Sequence, residues 1–407
     1  MCTKTNLRCN GRETRGLFHG TMTITAPPAT RLETRYFSEP DMITAGVKDM
    51  PACVDTMEEM FSLLGKGDYR MAGGNNNSHG AMVMFPDESS HPRMPKNGPD
   101  RRFMAMPAYL GGGFHTSGVK WYGSNVENRA NGLPRSIHTF VLNDADTGAP
   151  LAIMNGNLLS SYRTGAVSGV GARHLAKSGA TVAAVVGPGV MGKTALEAFA
   201  AGVPTLDTVK IKGRSRSGID SFVAWVKETL PQFTTIEVVD TEEEAVRDSE
   251  VIAYTTTAPA GASNYPVLDP EWLSPGAFVS APACLNMPDE WLASGAGRLV
   301  LDNRSLYECW REEFGEDAYE TVGIIGNKFL ALESDGKLTD GTEASVVDLA
   351  DVINGEVTGR RSEDDIVIYS VGGMPVEDVA WATTLYRRAV AEDIGTVLPV
   401  WDTPELA

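Results

Sequence analysis

Residues 181–192 read Thr-Val-Ala-Ala-Val-Val-Gly-Pro-Gly-Val-Met-Gly, and the fold is decided there. The apolar run 181–186 shows no polar alternation, which is the pattern of a strand buried on both faces of a parallel sheet. Gly187, Gly189 and Gly192 follow in G-x-G-x-x-G spacing, and Lys193–Gly202 continues as a helix with Leu196 and Phe199 to pack on the sheet. Gly187 permits the tight turn, Gly189 lets backbone approach an anionic group, and Gly192 lets helix and strand pack closely. The first N–H groups of the helix, around Val190 and Met191, then face a diphosphate together with the helix dipole. The stretch predicts a Rossmann-type α/β domain that binds a nicotinamide dinucleotide.

The next strand, 208–212, ends where the determinant of the adenosine ribose belongs, roughly twenty residues beyond the motif. It runs into Gly213-Arg214-Ser215-Arg216-Ser217, with no carboxylate to accept from a ribose 2′-hydroxyl. Two guanidinium forks and two hydroxyls suit a 2′-phosphate instead, so NADP(H) is the expected cofactor and NAD(H) the alternative. Thr256, in Thr255-Thr256-Thr257-Ala258 after the apolar strand 251–254, is expected under the nicotinamide half from its position alone.

The rest of the chain bounds the possibilities. Its 407 residues suggest two or three domains, and 42% hydrophobic with 22% charged residues is an ordinary globular composition. A net charge of -18 argues against nucleic-acid or anionic-membrane surfaces. No apolar run approaches the ~18 residues of a membrane span. Five scattered cysteines form no CxxC pair, so neither a disulfide framework nor a metal site is indicated, and a reducing, cytoplasmic setting fits.

Residues 1–34, with Lys4, Arg8, Arg12, Arg15 and Arg31, suggest a disordered leader or a start at Met22; a transit peptide is the alternative. Ser38 before Glu39-Pro40-Asp41 is a helix start, and 50–64 carries apolar residues at helical spacing. Strands are expected at 103–109, 118–122, 135–142 and 150–154, with Asn143–Gly148 as a hairpin turn. A glycine-rich helix over 157–177 precedes strict βα alternation from Thr181 to about Asn303. Segment 304–364 looks acidic and irregular with one helix over 342–353; a strand at 365–371 and a helix at 375–391 follow. The division expected is an α+β substrate and dimerisation domain (35–156 with 375–400) and a Rossmann domain (157–374).

Met106-Pro107-Ala108-Tyr109, Gly118-Val119-Lys120, Gly132-Leu133-Pro134, Asp144–Leu151, Arg163-Thr164-Gly165-Ala166, Gly359-Arg360, Asp365-Ile366, Ser370-Val371-Gly372 and Glu377-Asp378-Val379 occur in an order that resembles the ornithine cyclodeaminase/μ-crystallin family. The resemblance spans roughly 36–400. It implies a homodimer and hydride transfer at the α-carbon of an amino or imino acid. It also implies that Lys120 contacts the substrate's carboxylate and its carbonyl or imine, and that Arg163 binds the carboxylate. A bidentate guanidinium and a point charge beside a developing anion suit those roles.

Two departures bear on the chemistry. The family's further carboxylate-binding arginine, in a Pro-Pro-Arg segment, is replaced by Gly73-Gly74-Asn75-Asn76-Asn77-Ser78-His79, which makes Asn77 and His79 candidate substrate contacts. The aspartate with which cyclodeaminases expel ammonia falls at Leu285 or Asn286, and neither can act as a base; Asn286 is kept as a candidate substrate contact. The reading is an oxidoreductase acting on an imine or α-amino acid. Alternatives are a cyclodeaminase that recycles NAD, a non-catalytic NADPH and small-ligand binder, and an amine oxidase accessory subunit.

Overall fold

Alternating patterns in the first half of the chain and unbroken apolar runs in the second give two sheets of different kind. The computed structural model describes residues 30–338 and 346–406. Strands β1 (Leu32–Phe37), β2 (Tyr69–Met71), β3 (Ala81–Met84), β4 (Arg102–Leu110), β5 (Thr116–Ser124), β6 (Ser136–Asp144) and β7 (Pro150–Asn155) share a sheet with the last strand, β16 (Thr396–Trp401). The order is β16-β1-β7-β6-β5-β4-β2, with β3 also on β4, and the pairs are antiparallel apart from β1 with β7. Burial alternates along β4 and β5, so Met104 and Met106 face inward with Lys120 and Tyr122, while Phe103 and Trp121 face out.

The second sheet is parallel throughout. Strands β8 (Val182–Val186), β9 (Thr208–Lys212), β10 (Thr235–Val238), β11 (Val251–Tyr254), β12 (Phe278–Ala281), β13 (Gly297–Leu301), β14 (Val346–Asp348) and β15 (Ile366–Ser370) lie in the order β10-β9-β8-β11-β12-β15-β13-β14. Every residue of β11, β12 and β13 is buried, as strands covered on both faces must be. The chain reverses its direction of travel between β8 and β11. That reversal opens a crevice at the carboxyl ends of these strands, where open α/β sheets bind ligands.

A helix at Asn157–Leu175 stitches the two sheets together. Its glycines are explained by what they touch: a Cβ on Gly165 would lie 2.5 Å from the backbone of Thr194, and one on Gly169 2.7 Å from Ala198 Cβ. Glycine therefore lets this helix sit directly against the helix Val190–Gly202 that follows the glycine motif. The C-terminal helix Pro375–Ala391 returns under the first sheet. There Thr383 Oγ1 lies 2.6 Å from Thr116 Oγ1, and Arg387 donates to the carbonyls of Gly113 and Phe114, both at 2.8 Å. One continuous hydrophobic core runs through both halves.

Three expectations need correction. The basic leader falls mostly on 1–29, outside the described residues, but 32–34 belong to β1, whose alternating Leu-Glu-Thr-Arg-Tyr-Phe pairs with β16 and β7. Segment 304–364 is not irregular: it holds helices at Arg304–Phe314 and Gly326–Ser334, the first amphipathic with Leu306, Tyr307 and Trp310 buried beneath a charged face. The helix expected at 342–353 is β14 followed by a short helix, Leu349–Ile353; residues 342–345 lie outside the described residues.

Gly165→Ala tests the helix contact. On an exposed helix the change would stabilise by about 1 kcal/mol. Here the methyl meets immobile backbone, so urea denaturation is expected to show a loss of about 2 kcal/mol instead.

Candidate active site

The glycine motif behaves as its spacing requires. Gly187 has φ +99° and no room for a Cβ, which would lie 2.8 Å from Thr255 carbonyl carbon. A Cβ on Gly192 would meet Gly187 O at 2.6 Å, whereas at Gly189 nothing stands within 4 Å. Gly189 thus faces open space at the start of the helix Val190–Gly202, whose first turn has no side-chain cap. That leaves N–H groups directed at an anion. The space is a cleft of about 1060 Å³, lined by Gly187–Met191, Arg214, Ser215, Thr255–Thr257, Ser160, Ser161, Thr164 and His138. Among the described residues, Thr256 Oγ1 is buried there without a hydrogen-bond partner. A dinucleotide fits this set of groups: open backbone for the diphosphate, polar residues after β9 for the ribose, and an unsatisfied hydroxyl after β11.

Deeper between the sheets lies a buried ionic cluster. Lys120, 2% exposed, donates from Nζ to Asp378 Oδ2 at 2.8 Å and to Ser160 Oγ at 3.1 Å. An ammonium has three donors, and among the described residues two of them are taken. Arg163 donates from Nε to Asp378 Oδ1 at 3.1 Å and from Nη1 to Glu377. Asp378 is therefore a bridge, with one oxygen on each cation. Glu377 Oε1 in turn accepts from Met374 N at 2.8 Å.

The electrostatics follow from burial and pairing. Burial, aided by the Arg163 charge and opposed by Asp378, lowers the Lys120 ammonium to about 8. Burial also raises the Asp378 carboxyl, but Arg163 and Lys120 outweigh it and hold it below the usual range. Glu377 is pushed up to about 7, chiefly by burial, with Asp302 and Asp378 adding to the push and Arg163 opposing it. Burial and the neighbouring cations bring His79 down to about 3 and His138 to about 4, so both rings are neutral near pH 7.

A buried lysine bridged to an arginine beside a dinucleotide cleft narrows the candidates, and comparison with known proteins decides among them. The sequence model of the ornithine cyclodeaminase/mu-crystallin family matches residues 46–393. The chain belongs to this family. N-((2S)-2-amino-2-carboxyethyl)-L-glutamate dehydrogenase of Staphylococcus aureus is 28% identical over 85% of this chain and 100% of that protein. Alanine dehydrogenase of Archaeoglobus fulgidus is 30% identical over 72% of this chain and 82% of its own length. Among solved structures, Thermococcus litoralis Delta(1)-pyrroline-2-carboxylate reductase in complex with NADH and L-proline superposes with a TM-score of 0.70 at 22% identity, covering 89% of this chain and 99% of that one.

Within this family's framework, the residues singled out from sequence fall into three groups. Lys120 and Arg163 meet at Asp378, and Gly187, Gly189, Val190, Met191, Arg214, Ser215 and Thr256 line one cleft. Gly192 lies behind the turn and serves its packing. His79 stands near Lys120 and Arg163, its ring 5.6 Å from that of Trp310. Others are occupied elsewhere. Arg216 is outside the cleft lining and pairs with Asp220 at 3.1 Å along its own helix. Asn77 accepts from Tyr69 hydroxyl at 2.6 Å. Asn286 accepts from Lys328 Nζ at 2.8 Å and Asp289 pairs with the same ammonium, and neither residue lines the cleft.

Sequence reasoning quoted Glu377 and Asp378 without giving them a role, and passed over Ser160 and His138. Two adjacent acids in the first turn of an otherwise apolar helix, Pro-Val-Glu-Asp-Val-Ala-Trp-Ala, are the signal: both are fully buried. Asp302, also fully buried, accepts from Gly372 N at 2.7 Å and Gly373 N at 3.0 Å, fixing the turn that leads into that helix.

Asp378→Asn tests the bridge. Removing one partner of a buried pair costs about 3 kcal/mol or more, readable by urea denaturation. Lys120 also loses the charge that opposes its desolvation. The alkaline limb of kcat/KM, expected near pH 8 where Lys120 loses its proton, should therefore move to lower pH.

Proposed function

We propose that this NAD(P)-dependent oxidoreductase transfers hydride at the C–N carbon of an imine or α-amino acid and prefers NADP(H). The observation that carries the reaction type is Lys120, buried, paired with Asp378, and with one donor left over among the described residues. Its third N–H polarises the substrate's imine or carbonyl, where a dry surrounding strengthens the interaction. Among the described residues Arg163 uses Nε and Nη1 on Asp378 and Glu377, which leaves Nη2 for the substrate carboxylate. Ser160 holds Lys120 from the cleft side, since it also lines the dinucleotide cleft. The bound nicotinamide supplies or accepts the hydride.

Support for NADP(H) rests on Arg214 and Ser215, the polar residues just after β9 that line the cleft, in a segment, 213–217, that carries no carboxylate. The cyclodeaminase alternative lacks a base: Leu285 is fully buried, and Asn286 is held by Lys328. The unpaired outward face of the first sheet supports a homodimer. There Phe103 stacks on Trp121 with centroids 5.8 Å apart, and Ile137 is also exposed. Among the described residues no helix is long and apolar enough to cross a membrane.

The test is absorbance at 340 nm with NADPH or NADH against cyclic imino acids and against keto acids with amines. Turnover with NADPH at the lower KM is expected. Arg214→Ala should raise the KM for NADPH about tenfold or more and leave that for NADH unchanged, the loss of one charge-assisted contact. Equal use of both cofactors by the unmodified protein would remove the NADP(H) assignment.

A further inference from the structure

The loop 125–135, between β5 and β6, belongs to the sheet opposite the glycine turn, yet two of its arginines line the same cleft. Arg129 and Arg135 stand there with Lys212 and Arg214, against Glu242 as the one acidic residue of the lining, in a chain of net charge -18. Such a local excess of cations against the global field marks a place built for an anion.

The surroundings of the two arginines leave charge to spare. Arg135 Nε is 3.3 Å from Asp100, but that carboxylate also pairs with Arg102 and accepts from Ser124 Oγ at 2.5 Å. Arg129 has no carboxylate within ion-pair distance among the described residues. Arg102 and Arg135 therefore share one carboxylate, and Arg129 stands beside them with none among the described residues. Their mutual repulsion shows in Arg135, which burial and the charges of Arg102 and Arg129 lower from its ordinary value. An anion would relieve this repulsion.

The loop is also built to hold its arginines in place. Asn125 caps a 3-10 turn over Val126–Asn131, and Gly132 ends it at φ +71°. Asn128 Nδ2 donates to the carbonyls of Pro134 at 3.2 Å and Arg135 at 3.3 Å, closing the loop on itself. Just beyond, Asn157 Nδ2 donates to Ser136 O at 2.9 Å. The loop's exit is thereby tied to the first residue of the helix that packs on the glycine-turn helix through Gly165 and Thr194. The distance between loop and glycine turn is thus fixed by packed structure.

We propose that Arg129 and Arg135 form the far wall of the dinucleotide cleft and bind the cofactor's diphosphate from the side opposite Gly187–Gly192. The diphosphate would then be held between backbone N–H groups of one sheet's helix and guanidinium groups of the other sheet's loop. A ligand spanning both sheets closes the cleft over the reacting carbon. Arg214, at the end of β9, keeps the separate task of reading the 2′-phosphate, so this role applies to NADH and NADPH alike.

The test is equilibrium binding, by nucleotide fluorescence for NADH and NADPH and by calorimetry for ADP-ribose and adenosine 2′-monophosphate. Arg129→Ala, Arg135→Ala and the double variant are compared with the unmodified protein, with thermal melting to confirm that each is folded. The Kd values for NADH, NADPH and ADP-ribose should rise by the same factor, about tenfold for each arginine. Adenosine 2′-monophosphate, which has no diphosphate, should bind unchanged. The salt dependence of NADH binding should weaken in the double variant. Unchanged Kd values throughout, or a loss confined to ligands with a 2′-phosphate, would overturn the proposal. The NADP(H) preference fails on a different result, equal affinity of the unmodified protein for NADH and NADPH.

Discussion

Asp378 is the group on which the site depends. Lys120 and Arg163 come from different parts of the chain, one from the middle of a sheet and one from the helix joining the sheets. Two buried cations side by side repel each other and lose their hydration, and neither cost is tolerable without a counter-charge. One oxygen of Asp378 on each cation supplies it, and Glu377 adds a second carboxylate to Arg163. The fold is arranged to deliver these two acids. Strand β15 lies between β12 and β13, out of sequence order, and its end points the chain through Gly372 and Gly373 into the helix that begins at Pro375. Asp302, at the end of the neighbouring β13, holds that turn.

The cluster and the cleft are separate in chemistry and joined in space by Ser160, which touches Lys120 and lines the cleft. This arrangement divides the work. In the proposed reading the parallel sheet supplies open backbone and helix termini for an anionic cofactor, while the antiparallel sheet supplies a fixed ammonium for the substrate. Hydride transfer needs the two ligands in contact, and residues of both sheets wall the cleft. The neutral histidines His79 and His138 fit the same logic: they stand near the cluster without adding positive charge to Lys120 and Arg163.

How much of this was legible in the sequence varies with the physics of each part. The glycine turn was readable because its requirements are local: a positive φ at Gly187, open space at Gly189 and close packing at Gly192 all act within six residues. The strands were readable from alternation or its absence. Lys120 and Arg163 were legible only through the family resemblance, since a lysine in a strand and an arginine in a helix carry no local signal of burial. Their counter-charges were missed because acids in a first helical turn usually cap the helix in water. Arg216 misled for the same kind of reason: its i,i+4 pairing with Asp220 is a local option that the loop pattern Arg-Ser-Arg-Ser does not reveal. β1 was hidden by its charged neighbours, and becomes a strand only because β7 and β16 flank it.

The central claim is hydride transfer to a carbon–nitrogen centre in a site organised around Lys120. It is tested most directly by supplying NADPH carrying deuterium at the transferring position of the nicotinamide, with an imine that the protein turns over, and recovering the amine. The account predicts one deuterium per product molecule, on the carbon bearing nitrogen. Amine formed without label there, or ammonia released with no net change in cofactor, would contradict it.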